Sequence, residues 1–187
     1  MGRGPKAAVP RHRHPVRGRF AGGHLGEWGK MSCKKAVTPE HPVVTVLVTA
    51  YNAEAYLETA LASALKQTFD DFEVIVVDDG STDGTWQALT RVQSAKVRRL
   101  RQEHRGRGAA VNRAAEQARG RFLAFLDADD AWRPRKLVRQ LEAFEKRPEA
   151  DLVFTQSEWI GPSGAGLGIA TRPWNGPLSA EELFRDN

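Results

Sequence analysis

Apolar and polar positions along this chain alternate between two periods, and the changeovers mark its elements. Val43-Val44-Thr45-Val46-Leu47-Val48-Thr49 is continuously apolar and β-branched, the pattern of a strand covered on both faces as in a parallel sheet. Asn52 then offers an N-cap for a helix reaching Lys66, along which Tyr56, Leu57, Ala60, Leu61, Ala64 and Leu65 recur at helical spacing. A second buried strand is predicted over Phe72–Val77, a helix over Thr85–Val92 with Trp86, Leu89 and Val92 on one face, and a shorter strand over Val97–Arg101. A helix near Ala109–Ala118, a buried strand over Phe122–Leu126 and a helix after Pro134 complete the series. The order βαβαβαβ predicts an α/β fold: a mostly parallel sheet with flanking helices, right-handed crossovers, and ligands gathered at the carboxyl ends of the strands.

Residues 1–41 carry neither period. They mix Gly, Pro, Arg and His, as in Arg11-His12-Arg13-His14-Pro15, and read as a disordered tail, which leaves residues 42–187 as one folded domain. Met31, shortly before the folded pattern, is an alternative start. The charge is divided in the same place: nine Lys or Arg against two acids give residues 1–40 a charge of +7, so with +5 overall the rest of the chain carries −2. The folded region therefore lacks the electrostatic signature of a nucleic-acid or anionic-membrane binder. Cys33 is the only cysteine, which excludes an intrachain disulfide and a Cys-based zinc site and fits a reducing, cytoplasmic setting. The most apolar run, Val43–Ala50, is far short of the roughly 20 residues that cross a bilayer, so any membrane contact is expected to be peripheral.

Three polar clusters fall at strand ends. After the first strand, Thr49-Ala50-Tyr51-Asn52 puts an aromatic ring where it can stack on a base or pack on the sheet edge, and an amide that is a ligand or only an N-cap. After the second, Asp78-Asp79-Gly80-Ser81-Thr82-Asp83-Gly84-Thr85 offers carboxylates for a base N–H or a ribose hydroxyl, with Asp83 serving the turn and the following helix. An EF-hand is excluded, because the twelfth loop position is Thr90 and not a bidentate Glu. After the strand over Phe122–Leu126 stands Asp127-Ala128-Asp129-Asp130. Carboxylates crowded at the end of a buried strand need compensation by a cation, a hydrogen-bond network or water, and Mg²⁺ or Mn²⁺ typically joins one or two carboxylates to substrate phosphates. The competing role is an acidic cap for the next helix. Between the second and third clusters, His104-Arg105-Gly106-Arg107-Gly108 precedes a helix and suits phosphate, a solvated loop or an RNA-binding Arg-Gly patch. It is neither a dinucleotide fingerprint, since Val111 replaces the third glycine, nor a P-loop.

Taken in order, these motifs resemble the family 2 glycosyltransferases, GT-A-fold enzymes that use nucleotide-activated sugars. The resemblance rests on residues 44–52, Gln67-Thr68-Phe69, Phe72 to Asp83, Phe125 to Asp130, and then Trp132, Pro134 and Lys136-Leu137, and covers roughly residues 42–160. It implies a Rossmann-like GT-A fold and a nucleotide-sugar donor, usually a UDP-sugar, held with Mn²⁺ or Mg²⁺. Thr49, Tyr51 and Asp79 would line the base pocket, with Asn52 and Asp78 also in the nucleotide-sugar site; Asp127 would sit near the ribose and metal, Asp129 and Asp130 would hold the metal, and Arg105 or Arg107 would assist at the departing diphosphate. The metal would stabilise the leaving diphosphate as a Lewis acid.

The chain departs from the family at Ala110-Val111-Asn112, where many members have Ala-Arg-Asn, and at its C-terminus. Inverting transfer needs a carboxylate near the acceptor hydroxyl, and none is nominated: Glu181, Glu182 and Asp186 belong to an amphipathic helix start, so the base is expected beyond Asn187 and the fold to be truncated. The Gly- and Pro-rich segment 161–176 is read as a mobile loop over the donor site. The resemblance implies an acceptor that would be carbohydrate, lipid-linked or a protein, as in cell-envelope or polysaccharide synthesis, with work in the cytoplasm or at the inner face of the membrane. The alternatives are a nucleotide-sugar- or partner-binding module without turnover, and RNA binding through the tail and the Arg105–Arg107 loop.

Overall fold

The computed structural model describes residues 42–161 and 165–171. The expectations for residues 1–41, for Cys33 and Met31, and for the Glu181–Asp186 helix start fall outside them. Four strands, β1 (Val44–Ala50), β2 (Phe72–Asp79), β3 (Val97–Gln102) and β4 (Phe122–Asp127), form one parallel sheet in the order β3-β2-β1-β4. They alternate with α1 (Leu57–Leu65), α2 (Thr85–Arg91) and α3 (Arg107–Glu116), and α4 (Lys136–Lys146) follows β4. The predicted α/β alternation is the architecture found, with helix starts displaced by a few residues.

Two of the apolar runs form the central strands. Every residue of β2 and all but Thr49 of β1 are buried, because helices cover both faces. On one face Leu47, Ile75 and Val77 pack against Ala110 and Ala114 of α3, whose lack of bulk lets that helix lie close to the sheet. Alternate residues point the other way. There Phe122 of β4, in register with Val44, stacks on Phe144 of α4 with centroids 4.8 Å apart.

Beneath the sheet, Glu73 is buried and accepts hydrogen bonds from Thr45 Oγ1 (2.9 Å) and from Arg119 through its backbone N (3.0 Å), Nε (3.1 Å) and Nη2 (2.5 Å). Burial acts to raise the pKa of Glu73, but the Arg119 and Thr45 hydrogen bonds outweigh it and hold the group below the ordinary carboxylate value. Gly120 closes this end: a Cβ there would lie 2.3 Å from Thr45 N.

Two expectations are corrected. The strand expected to be buried, β4, pairs only with β1 among the described residues, and Leu123 and Phe125 on its α3-side face are 44% and 52% exposed. An apolar run marks a face that can be covered, not one that is. Within the segment read as a mobile loop, Gly166–Ala170 is a strand (β6) paired antiparallel with Glu158–Ile160 (β5). The glycines suggest a loop, but Leu167 and Ile169 supply strand character, and Gly168 takes φ +70° beside a register shift.

Candidate functional site

The strand order creates the site. The chain steps from β1 outward to β2 and β3, then returns to place β4 on the other side of β1. The crossover direction therefore reverses between β1 and β4, which is where open α/β sheets bind ligands, outside the carboxyl ends of the strands. At that point Thr49 of β1 is in register with Asp127 of β4. Asp127 accepts a 2.6 Å hydrogen bond from Arg107 Nη2 at Oδ1, and its backbone carbonyl accepts from Asp130 N at 3.1 Å, folding the acidic tetrad into a turn.

The tetrad is not desolvated as its strand context suggests. Asp129 and Asp130 are exposed, and the Asp127 side chain is 44% exposed because β4 stands at the sheet edge. Repulsion survives in milder form. The pKa of Asp130 is raised, by partial desolvation first and then by the charges of Asp127 and Asp129, with Arg107 acting against them.

At the end of β2 the two acids face inward. Asp79 Oδ1 accepts from Gln102 Nε2 (2.6 Å) and Arg105 N (3.0 Å), and Oδ2 accepts from Gly106 N (2.8 Å) and lies 2.9 Å from His104 Nδ1. Burial pushes its pKa up, yet the Arg105, Gln102 and Gly106 hydrogen bonds and the His104 charge bring it below the usual value. Asp79 thus clamps the 102–106 loop. That loop crosses directly over Gly80, which has φ +74° and whose Cβ, if present, would sit 2.6 Å from His104 N. Gly106, at φ +87°, then turns the chain into α3 and starts that helix with Arg107.

Asp78, expected on the base side, is wholly buried: Oδ1 accepts from Ser81 N (3.0 Å) and Oδ2 lies 3.1 Å from Arg101 Nε. It presents no surface to a ligand, since the second of the adjacent acids, not the first, reaches the loop. Asn52 is not the predicted cap of α1. That helix begins at Leu57 with Tyr56 at the N-cap position, while Asn52 takes φ +49° and its Oδ1 accepts from Thr82 N (2.9 Å) and Thr82 Oγ1 (3.3 Å). Asn and Asp tolerate this left-handed conformation best among non-glycine residues. Asn52 N in turn donates to Ser81 Oγ (3.0 Å), and Ala53 N to Thr85 Oγ1 (2.8 Å). The loops after β1 and β2 are thereby stitched together. Asp83 serves the turn and helix as expected, accepting from Thr85 N (3.0 Å) and Glu54 N (3.2 Å).

Tyr51 is half exposed, and its ring stacks on His104 with centroids 4.0 Å apart and planes inclined by 23°. The two rings form one aromatic step beside Asp79. His104 belongs to the loop that sequence marks for phosphate, but its stacking role is not legible there, because it depends on a Tyr 53 positions away. Gln67 is a second such case. Its Nε2 donates to Arg133 O (2.9 Å) and its Oε1 accepts from Leu137 N (3.0 Å), while Thr68 N donates to Pro134 O (2.9 Å) and Ser63 Oγ accepts from Trp132 N (2.9 Å). The end of α1 therefore anchors the segment leaving the acidic turn. The side chain of Arg105 is exposed, and its backbone is held by Asp79.

The donor chemistry here suits a cation only with outside help. Among the described residues no three His, Cys, Asp or Glu side chains converge on one point. Exposed carboxylates in a turn nevertheless fit the hard cations Mg²⁺ and Mn²⁺, which commonly complete their coordination with water and substrate phosphate and use few protein ligands. The residues thus fit such an ion as a partner of a phosphate ligand, not as a site complete in itself.

The chain is 41% identical over 143 residues to the uncharacterized glycosyltransferase alr2836 of Nostoc sp., matching 75% of this chain and 44% of that protein. It is 34% identical over 104 residues to the UDP-Glc:alpha-D-GlcNAc-diphosphoundecaprenol beta-1,3-glucosyltransferase WfaP of Escherichia coli, covering 55% of this chain and 41% of that protein. Among solved structures it resembles S. aureus TarS 1-349, crystallised in complex with UDP, at TM-score 0.53 and 34% identity over 56% of this chain and 32% of that one. The chain spans less than half the length of each of these proteins. The profile of Glycosyl transferase family 2 matches residues 45–181, taking in the parallel sheet from Thr45 onward and every strand-end cluster described above, and the chain belongs to that family.

Proposed function

We propose that this chain binds a nucleotide-diphosphate sugar, of the UDP-sugar class, at the carboxyl ends of β1, β2 and β4, and that the protein transfers the sugar to an acceptor hydroxyl with inversion. The observation that carries the reading is the placement of Asp127 in register with Thr49 at the reversal of the sheet, with Arg107 on its carboxylate. Thr49 and the Tyr51–His104 step serve the base side, and Asp79 holds the loop that carries His104, Arg105 and Arg107. Asp78 and Asn52 act indirectly by fixing the turn between them. Asp127 and Asp129, with Asp130 beside them, are the residues that would hold Mg²⁺ or Mn²⁺, and Arg105 and Arg107 face the diphosphate.

When bound, the cation supplies Lewis-acid stabilisation of the departing diphosphate. The chain's own part is to orient the nucleotide and to place fixed positive charge where negative charge grows, so that less reorganisation is needed as the glycosidic bond breaks. Support for a UDP-sugar comes from WfaP, whose name specifies UDP-Glc, and from TarS, crystallised with UDP and with UDP-GlcNAc. WfaP also names a diphosphoundecaprenol acceptor, which supports a lipid-linked acceptor here and work at the inner face of a membrane. No helix among the described residues is long and apolar enough to cross a membrane, so the contact proposed is peripheral.

The test is calorimetry of UDP and UDP-GlcNAc with and without Mn²⁺, on the wild type and on Asp129→Asn. Binding that strengthens with Mn²⁺ and loses that gain in the variant is expected. Metal-independent binding that Asp129→Asn leaves unchanged would contradict the site.

A further inference from the structure

Among the described residues, Arg107 and Asp127 form the ion pair that touches the acidic turn. Its distance is short at 2.6 Å, and both partners are open to solvent, the Arg107 side chain at 68% exposure and Asp127 at 44%. An exposed pair of this kind holds its partners by a roughly fivefold preference at most, so it is easily exchanged. The backbone beside Arg107 is anchored through Gly106 N on Asp79, while the side chain reaches across the surface to Asp127. The guanidinium occupies the same carboxylate that the proposed cation needs, and its planar fork matches a phosphate as well as it matches a carboxylate.

We propose that Arg107 is an exchangeable counter-ion: it holds Asp127 in the donor-free chain and passes to the diphosphate when a cation takes the carboxylate, so that cation and diphosphate bind cooperatively through this side chain. This rests on the donor-site reading above and adds to it a direction of coupling. With Arg107 in place, a cation arriving alone must displace a positive charge and leave it unpaired. With a diphosphate present, the displaced guanidinium gains an acceptor of higher charge. By linkage, each ligand then raises the affinity for the other by the same factor. Direct coordination of the cation by phosphate also couples the two, but it gives Arg107 no influence on the cation alone.

The experiment measures Mn²⁺ binding by electron paramagnetic resonance and UDP binding by calorimetry, each alone and with the other saturating, for the wild type, Arg107→Gln and Arg107→Lys. Circular dichroism checks that the variants are folded. Arg107→Gln is expected to bind Mn²⁺ alone about two- to fivefold more tightly, to bind UDP alone more weakly, and to show a smaller gain in Mn²⁺ affinity on adding UDP. Arg107→Lys, a charge without the fork, should fall between. If Arg107→Gln binds Mn²⁺ alone no more tightly than the wild type while the wild type binds UDP and Mn²⁺ together, the exchange is wrong and the donor site stands. If the wild type binds neither, both fail.

Discussion

Replacing Asp79 with Asn isolates the clamp on which the loop side of the site depends. The carboxylate is almost fully buried and faces four nitrogens, two at each oxygen: the N–H groups of Gln102 Nε2 and Arg105 N at Oδ1, and Gly106 N and the His104 ring nitrogen Nδ1, a donor when protonated, at Oδ2. Whichever way the Asn amide turns, one oxygen becomes an NH₂ that meets two donors. Two hydrogen bonds to a charged acceptor are lost, each worth about 1.5–3 kcal/mol, and part of this is returned because a buried charge has been removed. The expected net loss is about 2–4 kcal/mol at pH 7, a factor of roughly 30 to 1,000 in the folding equilibrium. Asp79 titrates below its ordinary value in the folded chain, so its stabilisation is full above the unfolded pKa of about 3.9 and is lost as the pH falls through the folded pKa. The gap between wild type and variant should therefore be widest at neutral pH and close below about pH 4. Urea denaturation at both ends of that range measures it, and amide exchange at Arg105 and Gly106 reports whether the loop is released. A loss below about 1 kcal/mol at pH 7, or unchanged exchange at those two amides, would refute the clamp.

Gly80→Ala should destabilise by about 2 kcal/mol or more, because φ is +74° and the new methyl would meet the backbone of the crossing loop, 2.6 Å from His104 N; a thermal melt no lower than that of the wild type would show that the loop can give way. Gln67→Ala should cost about 1–3 kcal/mol through the lost Arg133 O and Leu137 N hydrogen bonds, and faster amide exchange at Leu137 would show that the segment after the acidic turn has loosened. Leu126→Ala, at a residue 2% exposed, should cost about 2–5 kcal/mol, whereas Phe125→Ala at 52% exposure should cost no more than about 1 kcal/mol; equal losses in urea denaturation would show that the outer face of β4 is covered.

Local pattern settles what local physics can settle. The run Val44–Ala50 and the run Phe72–Val77 read as strands fit to be covered on both faces, since a strand with one wet face usually alternates, and the fold covers both. The same holds for the position of the acids, because a strand ending in carboxylates must put them at its carboxyl edge. The ordered motifs then identified the family. What period and motif do not carry is which strands become neighbours and which way a side chain turns. Val43–Ala50 and Phe122–Leu126 read alike as apolar runs, yet β1 is central and β4 is an edge, a difference made by strand order alone. Asp78 and Asp79 are adjacent and chemically identical, and only the path of the 102–106 loop turns one into a clamp and the other into a buried partner of Arg101. Asn52 has the side chain of a helix cap, but the Thr82 amide, 30 residues away, claims its oxygen first. Sequence determined the layers and the chemistry at their rim; the fold alone decided the pairings, because hydrogen bonds and ion pairs between residues distant along the chain exist only once the sheet has brought their strands together.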